Sequence, residues 1–369
     1  MRRIRVTDGE ATLVDDSAGA EEELRHAELL AEIAVEAERD ELRATPEGRR
    51  RILEERREQI EAPRLRAFRE FLAYGEREGV YQREEARALA EGVGSSGGFI
   101  VPAEFYREVL AALKQYDGLF DAAGVVRTPG GGDFVQPLDD DSANAAAIVS
   151  ENTTSSFVDA AFDRIAFGKC PNWRSGFIKA SLELTEDVPN LEALLAGSFG
   201  RRFARGIGAT FTTTLLGSAS VGKTAASATA VTGDEILDLV ASVDPAFGQN
   251  GGFLMNFTTW TALRKLKGST SGDYLLPIGR DAAGRPTLFG QTVFISSSMP
   301  NMTTGQKSIA FGALDRFVRR EVTGSLVVKR FGERFIEAGQ IGFEAYWRVD
   351  GALAKAANSP VPVKFLQMA

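Results

Sequence analysis

The sequence predicts an α+β protein in which a charged helical leader precedes a mixed body of helices and strands. Residues 1–91 hold 17 arginines and 24 acidic residues, so 41 of these 91 residues are charged. Residues 92–369 hold only 26 basic and 27 acidic residues. In the body, one segment repeats apolar residues every fourth position, which is typical of a long buried helix. Short apolar segments bounded by glycine, proline and aspartate predict strands.

The first helix of the leader is expected over residues 20–44. This segment is rich in alanine, glutamate and leucine, and acidic residues fill its first turn, where the helix dipole favours them. Thr45 and Pro46 then mark a stop and a new start, because threonine caps a helix and proline suits the first helical position.

The second helix of the leader begins near residue 46 and carries a narrow apolar seam of Leu65, Phe68 and Leu72. A helix with so few apolar residues is marginal alone, so we expect it to pack against a partner helix. A solvated extension without a partner is the alternative. The glycine- and serine-rich residues 92–98 predict an accessible linker to the body.

The body is expected to begin with a short helix over 103–116, followed by a long β excursion from about 125 to 178. Turn signals at 129–133 and 138–142 divide this excursion into strands. A two-stranded ribbon of this size is not stable by itself in water. It therefore needs another surface to lie on, and the sequence offers no local candidate.

The long helix is expected to start at residues 185–189, where Glu186 and Asp187 supply an acidic first turn. Its apolar stripe consists of Leu191, Leu195, Phe199, Phe203, Ile207 and Phe211. Several glycines lower its helix propensity, so close packing must hold it. A capping-box pattern at Thr232 and Glu235 starts a further helix. The remaining predicted elements are strands at 252–256, 292–295, 308–311, 326–328 and 341–346 and a helix at 258–267.

Composition excludes several classes of protein. His26 is the only histidine and lies in the leader, so the body has no histidine for a catalytic triad or a zinc site. Cys170 is the only cysteine, which excludes an intramolecular disulfide. The amino-terminal residues do not form a signal peptide, and no apolar run predicts a membrane span. The body carries a net charge of −1, so tight binding to a phosphate backbone is not expected.

The segment from Gly217 to Thr224 matches the phosphate-loop pattern G-x-x-x-x-G-K-[ST]. In a nucleotide site, backbone N–H groups and Lys223 would hold phosphates and Thr224 would bind magnesium. That chemistry requires a strand before the loop and a helix directly after it. Here the long helix precedes the segment, and residues 225–231 open a helix poorly. We therefore reject the nucleotide site and retain it only as an alternative.

Two acidic groups also fail as sites. Asp139, Asp140 and Asp141 lack the alternating oxygen spacing of a calcium loop and are expected to form a solvated loop tip. Glu183 and Asp187 are expected to be surface or capping residues rather than a catalytic pair. We therefore predict no catalytic, cofactor-binding or metal-binding residues, no cofactor and no enzymatic activity.

Short blocks of the body occur in a characteristic order and spacing. They are residues 97–102 (GGFIVP), 147–152, 184–187 (LTED), 253–256, 263–267, 272–275, 288–293, 299–300, 311–312 and 343–351. Over roughly residues 88–369, these blocks resemble the HK97-type major capsid proteins of tailed bacteriophages.

The resemblance implies an HK97-like capsid fold with a long spine helix, an extended β arm and a central mixed α/β domain. The implied boundaries are an N-arm at about 92–124, an extended loop at about 125–180, a spine helix at about 186–216, and central and peripheral domains at 217–369. The extended loop would lie across a neighbouring subunit.

The resemblance also implies that the leader, residues 1–91, is a scaffolding-like (delta-like) domain that guides assembly. A phage protease often removes such a domain, and the composition break places the expected cut between Ala90 and Gly94. Some family members crosslink a lysine on the extended loop to a neighbour's asparagine. Residues 115–168 hold no lysine, and Lys169 and Asn358 match no such motif, so crosslinking is not expected.

The implied function is that of a structural major capsid protein that self-assembles into hexamers and pentamers of an icosahedral shell. The shell would enclose phage double-stranded DNA without sequence-specific contacts, as part of a virion assembled in the host bacterial cytoplasm. The implied partners are other copies, a portal protein and a maturation protease, with no membrane. Two alternatives stay open: a P-loop nucleotide hydrolase and an encapsulin-like compartment for protein cargo.

Overall fold

The computed structural model divides the chain into two compact units, Met1–Arg64 and Leu65–Ala369. The described residues are 2–7, 10–15, 65, 68, 69, 71, 72, 99–140, 148, 162–187, 190–267, 276–357 and 359–369. The helix predicted at 20–44, the expected cut between Ala90 and Gly94, and Asn358 lie outside them.

In the first unit the structure describes an antiparallel hairpin of β1 (Arg2–Thr7) and β2 (Glu10–Asp15). This hairpin was not predicted from the sequence. Its signal was Asp8-Gly9 between two alternating segments, a dipeptide that favours tight hairpin turns.

The second unit combines helices with two large sheets. Its helices are α1 (Ala103–Tyr116), α2 (Gly118–Ala122), α3 (Leu182–Asp187), α4 (Leu191–Ser218), α5 (Gly233–Ser242), α6 (Pro245–Gly248) and α7 (Phe257–Arg264). Its first strands are β3 (Phe99–Ile100), β4 (Gly124–Thr128), β5 (Phe134–Asp139), β6 (Phe162–Phe167), β7 (Asn172–Arg174), β8 (Ile178–Ser181) and β9 (Ser220–Thr224). The others are β10 (Gly252–Met255), β11 (Ile278–Arg280), β12 (Pro286–Leu288), β13 (Gln291–Ile295), β14 (Lys307–Gly312), β15 (Phe317–Val322), β16 (Val327–Phe331), β17 (Gln340–Leu353) and β18 (Val363–Gln367).

The first sheet is built on the 14-residue strand β17. Its order is β3-β16-β17-β15-β4, and β7 and β8 also pair with β17. The second sheet has the order β11-β12-β13-β10-β14-β18-β9. β5 and β6 form a separate two-stranded ribbon, here called the arm. None of the described helices is long and apolar enough to cross a membrane.

Helix α4 is 28 residues long and buries the predicted apolar stripe. It starts at Leu191, not at residue 186: the predicted start at 185–189 is wrong, because Thr185 and Asp187 belong to the short helix α3. The sequence carries a signal for two helices at Pro189, since proline disfavours helical geometry in the residue before it. The capping box of Thr232 and Glu235 is confirmed.

The β excursion predicted from 125 to 178 is only partly a separate arm. β4 pairs in parallel with β15, and β7 and β8 pair with β17, so three of its strands belong to the first sheet. Of the described strands in this range, β5 and β6 alone do not join the sheet. Sequence alone could not separate them, because both kinds of strand have similar alternation and only the distant strands β15 and β17 select their partners.

Helices α1 and α4 cross in close contact at Gly200. A Cβ built at Gly200 would lie 2.6 Å from the Ala112 Cβ and 2.8 Å from the Val109 carbonyl oxygen. The glycine that weakens α4 as an isolated helix therefore allows its backbone to approach α1. Packing replaces the propensity that the sequence lacks, as the glycine content predicted.

We expect Gly200→Ala to destabilise the body by about 1–3 kcal/mol, because the added methyl group forces α1 and α4 apart. The matched control is Gly197→Ala in the same helix, where the nearest atom, Arg201 Nη1, is 4.0 Å from the built Cβ. That variant should be neutral or gain up to about 1 kcal/mol from helix propensity. Urea unfolding measures both, and equal effects would contradict the crossing.

Candidate functional site

The phosphate-loop match does not form a nucleotide cradle. Gly217 and Ser218 end helix α4, and residues 220–224 form strand β9, so the order is helix then strand, the reverse of a phosphate loop. The Lys223 Nζ lies 2.6 Å from the Asp238 Oδ2, and this hydrogen bond raises the pKa of Lys223. Helix α5 begins only at Gly233. This geometry gives no support to a nucleotide site at residues 217–224.

Of the acidic groups considered in the sequence, the structure describes Asp139, Asp140 and Glu183, whereas Asp141 lies outside the described residues. No cluster of three or more potential metal ligands occurs among the described residues. Glu183 is exposed on α3. The expectation of a solvated loop tip is wrong for Asp140, which is 4% exposed and accepts a hydrogen bond from the Ser359 Oγ at 3.1 Å. Ser359 follows it by more than 200 residues, so sequence spacing carried no signal.

A buried carboxyl group joins three elements at Asp117. Its Oδ1 accepts hydrogen bonds from the Ser296 Oγ at 2.7 Å and from the Leu119 N–H at 3.3 Å. Its Oδ2 has no hydrogen-bond partner among the described residues and faces Gly208 of α4, where a Cβ would lie 2.7 Å away. Burial raises the pKa of Asp117 above its usual value.

A second buried polar cluster surrounds Glu321 on β15. Tyr106 donates a hydrogen bond to the Glu321 Oε2 at 2.9 Å, and the Arg319 Nε lies 3.1 Å from Oε1. Burial and the nearby Glu321 raise the pKa of Tyr106, whereas burial lowers that of Arg319. Perturbed groups can mark catalytic sites. These, however, bond to one another between α1 and the sheet, which is the behaviour of a structural ion pair.

The apolar seam predicted in the leader is docked on the body. Leu65, Phe68, Arg69, Phe71 and Leu72 are helical, and we call the last four the docking segment. Phe68, Phe71 and Leu72 are 0%, 3% and 1% exposed and belong to the main apolar core. The expected partner helix is α1, because the Phe68 ring meets the Phe105 ring edge-on at 4.9 Å.

Polar contacts fix the register of the docking segment. The Arg69 Nε lies 2.6 Å from the Glu192 Oε1 in the first turn of α4. The Arg330 Nε donates a hydrogen bond to the Leu72 carbonyl oxygen at 3.3 Å. The docking segment thus contacts α1 by an aromatic ring, α4 by an ion pair and β16 by a hydrogen bond to its backbone. It lies on the amino-terminal side of residues 90–94.

The arm has two unlike faces. One face carries Phe134, Ile165 and Phe167, which pack against Val318 of β15 and Val126 of β4. The chain itself therefore supplies a surface for the arm. The sequence showed no such surface, because Val318 lies more than 150 positions after the last residue of the arm, Phe167.

The other face of the arm is not covered by the described residues, and it carries Val135 and Phe162 together with the charged Asp139 and Arg164. Val135 and Phe162 are 50% and 76% exposed. Single exposed apolar residues are ordinary, but these two sit on a ribbon whose opposite face is already buried. An arm that is buried on one face and exposes two large apolar side chains on the other is suited to lie between two surfaces, of which this chain provides one.

Comparison with known proteins agrees with this architecture. A model of the phage capsid family matches residues 97–364. The chain belongs to the phage capsid family. No curated protein sequence matches it. Among solved structures, the capsid of an empty GTA particle is similar, with a TM-score of 0.57 and 24% identity over 68% of this chain and 89% of that chain. A structure from Microbacterium phage Oxtober96 has a TM-score of 0.52 and 13% identity, over 69% of this chain and 91% of that chain.

Membership of the phage capsid family confirms the predicted fold class and the function as a structural capsid protein. The HK97-like features are present: a long helix α4, an arm and mixed α/β sheets. The nucleotide hydrolase and the cargo compartment find no support. Capsid membership also implies self-association into shells.

In this capsid protein, Phe68→Ala is expected to lower the free energy of unfolding by about 3–5 kcal/mol. The reason is that it leaves a cavity where the fully buried Phe68 ring packs against α1. The matched control is Phe257→Ala, since that ring is 61% exposed. Urea unfolding of the full chain measures both. If Phe68→Ala costs no more than Phe257→Ala, the docking segment does not belong to the core.

Asp117 predicts a pH dependence of stability. Its raised pKa means that the folded state holds the proton more tightly than the unfolded state, whose pKa is about 3.9. The contribution of protonated Asp117 to stability is therefore fully present below about pH 4. It is lost as pH rises through the folded-state pKa, because ionisation is less favourable in the folded state. The stability of Asp117→Asn relative to the wild type should rise from pH 4.5 to pH 8 in thermal unfolding. A difference independent of pH would contradict this prediction.

Proposed function

We propose that this capsid protein assembles into hexamers and pentamers of an icosahedral shell that encloses phage double-stranded DNA, and that its role is structural rather than catalytic. The observation that carries the proposal is the arm. It is anchored on its own chain by one apolar face and exposes Val135 and Phe162 on the other. A neighbouring copy supplies the covering surface, which makes self-association part of how the arm becomes stable.

Charge supports the type of enclosure that we propose. The body carries a net charge of −1, so it presents no strong basic excess to hold a phosphate backbone. A nearly neutral wall suits DNA that a motor packs through a portal and that is confined rather than bound. The partners in this proposal are other copies, a portal protein, a maturation protease and non-specifically packaged DNA, with assembly in the host bacterial cytoplasm.

We further propose that residues 1–91 act as a scaffolding segment that a phage protease removes between Ala90 and Gly94. The support is twofold. The charge density falls sharply at this point, and β3 (Phe99–Ile100) pairs directly with β16, so the chain is tied to the sheet soon after the cut. The docking segment gives the leader a specific contact with α1 and α4 before removal.

The test is to express the full chain and to examine it by sedimentation and negative-stain electron microscopy. Shells or capsomer rings are expected. Small discrete particles with nucleotide turnover would contradict the proposal, and shells filled with a protein cargo instead of DNA would indicate a compartment. Intact mass of protein from mature particles should correspond to a chain that starts between residues 91 and 94. A full-length mass would refute removal of the leader.

A further inference from the structure

The two chain segments that enter and leave the arm meet at one buried arginine. Arg320 lies on β15 and is 2% exposed. On the entering segment, its Nη2 donates hydrogen bonds to the carbonyl oxygens of Gly130 and Gly132 at 3.0 and 2.6 Å. On the leaving segment, its Nη1 donates to the Gly168 carbonyl oxygen at 3.1 Å. One guanidinium therefore bridges both ends of the arm.

Neighbouring groups complete the same arrangement. The Arg320 Nε donates to the Thr128 Oγ1 at 3.2 Å, and that hydroxyl donates to the Gly130 carbonyl oxygen at 2.9 Å. The guanidinium carbon lies 5.3 Å from the centre of the Phe134 ring, the first residue of the arm. The contacts of Arg320 thus run from the last residue of β4 into the first residue of β5.

Arg348 of β17 makes a second bridge of the same kind. Its Nη2 donates to the carbonyl oxygens of Gly131 and Cys170 at 3.1 and 3.3 Å. The Cys170 N–H also donates to the Gly131 carbonyl oxygen at 3.0 Å, which links the two segments directly. Five carbonyl groups from both segments are therefore aimed at two guanidinium groups.

The charge balance shows that these carbonyl groups are needed. Among the described residues, no carboxylate lies within ion-pair distance of either guanidinium. Asp350 is opposite Arg320 in the β15–β17 register, but its Oδ1 accepts from the Gly351 N–H. A buried charge is costly unless polar groups replace its water. The carbonyl dipoles at the base of the arm do this for Arg320, so they must hold one conformation.

We propose that Arg320, assisted by Arg348, is a positioning residue that sets the direction in which the arm leaves the body and so allows capsid assembly. This deepens the proposed assembly function and rests on it. Without the two guanidinium groups, the arm keeps its apolar packing on Val318 but loses the contacts that join its two ends. It then samples directions that do not meet a neighbouring copy.

Two neighbouring glycines in the segment that enters the arm provide a matched pair of variants that tests these contacts. A Cβ built at Gly131 overlaps the Arg348 guanidinium, whereas one built at Gly132 meets nothing within 4 Å. Gly131→Ala therefore displaces a flexible side chain without opening the core, and Gly132→Ala is its control.

On the body side, Arg320→Met and Arg348→Met remove the hydrogen-bond donors. Arg316→Met is the control, because Arg316 is exposed on β15's amino-terminal side.

Cys170 reports on the base directly. It is the only cysteine in the chain and is 2% exposed at this position, so its reaction with a thiol reagent measures opening of the arm's base. We expect about tenfold faster labelling in Arg320→Met, Arg348→Met and Gly131→Ala, as local opening becomes easier. Shell yield, measured by sedimentation, should fall in the same three variants. Gly132→Ala and Arg316→Met should behave as the wild type in both measurements.

Three outcomes decide the proposal. Wild-type labelling rates and shell yields in Gly131→Ala and Arg348→Met would overturn it, even if Arg320→Met fails to fold. Faster labelling with normal shell yield would show a local contact that does not position the arm, and would also overturn it. If the wild type itself forms no shells, the proposed assembly function fails, and the labelling rates still show whether the bridge holds the base.

Discussion

The packing of α4 across β17 is the constraint on which the rest of the body depends. Trp347 of β17 is 1% exposed, and its ring meets Phe203 of α4 at 5.7 Å and Phe120 of α2 at 5.8 Å. Phe211 continues the contact to Phe317 at 5.3 Å. These rings hold helix to sheet over several turns, and edge-on aromatic pairs add directional stabilisation to the buried area. Once α4 is placed, Gly200 and Gly208 determine how closely α1 and Asp117 approach it.

The arm and the docking segment are two ways in which distant parts of the chain attach to this framework. The docking segment uses apolar side chains that replace solvent with core contacts at α1. The arm uses fewer apolar contacts and relies on backbone carbonyl groups gathered by arginine. Apolar contacts are insensitive to direction, whereas hydrogen bonds to a planar guanidinium are directional. Apolar packing thus suits the docking segment, which needs only to stay attached. Directional hydrogen bonds suit the arm, whose orientation matters.

Local patterns predicted the elements better than their partners. The four-residue repeat from Leu191 to Phe211 identified α4, and the Thr232 capping box identified α5. The start of α4 was misplaced, because an acidic turn before Pro189 resembles a helix start as much as a helix end. The surface beneath the arm and the burial of Asp140 depend on Val318 and Ser359, far away in the sequence. Family resemblance supplied the function, since no residue pattern of the body pointed to chemistry.

The sheet of β10, β14 and β18 is buried on both faces, and successive residues serve different cores. Phe253 and Met255 face one core, while Leu254 between them faces the core that contains α4. Ala310 and Phe311 divide in the same way. The two cores therefore share a wall, and neither can deform without displacing the other. A load on either core is therefore transmitted to the other through this sheet. The arm lies outside both of these cores, so elastic compliance is expected in the arm rather than in the shared sheet.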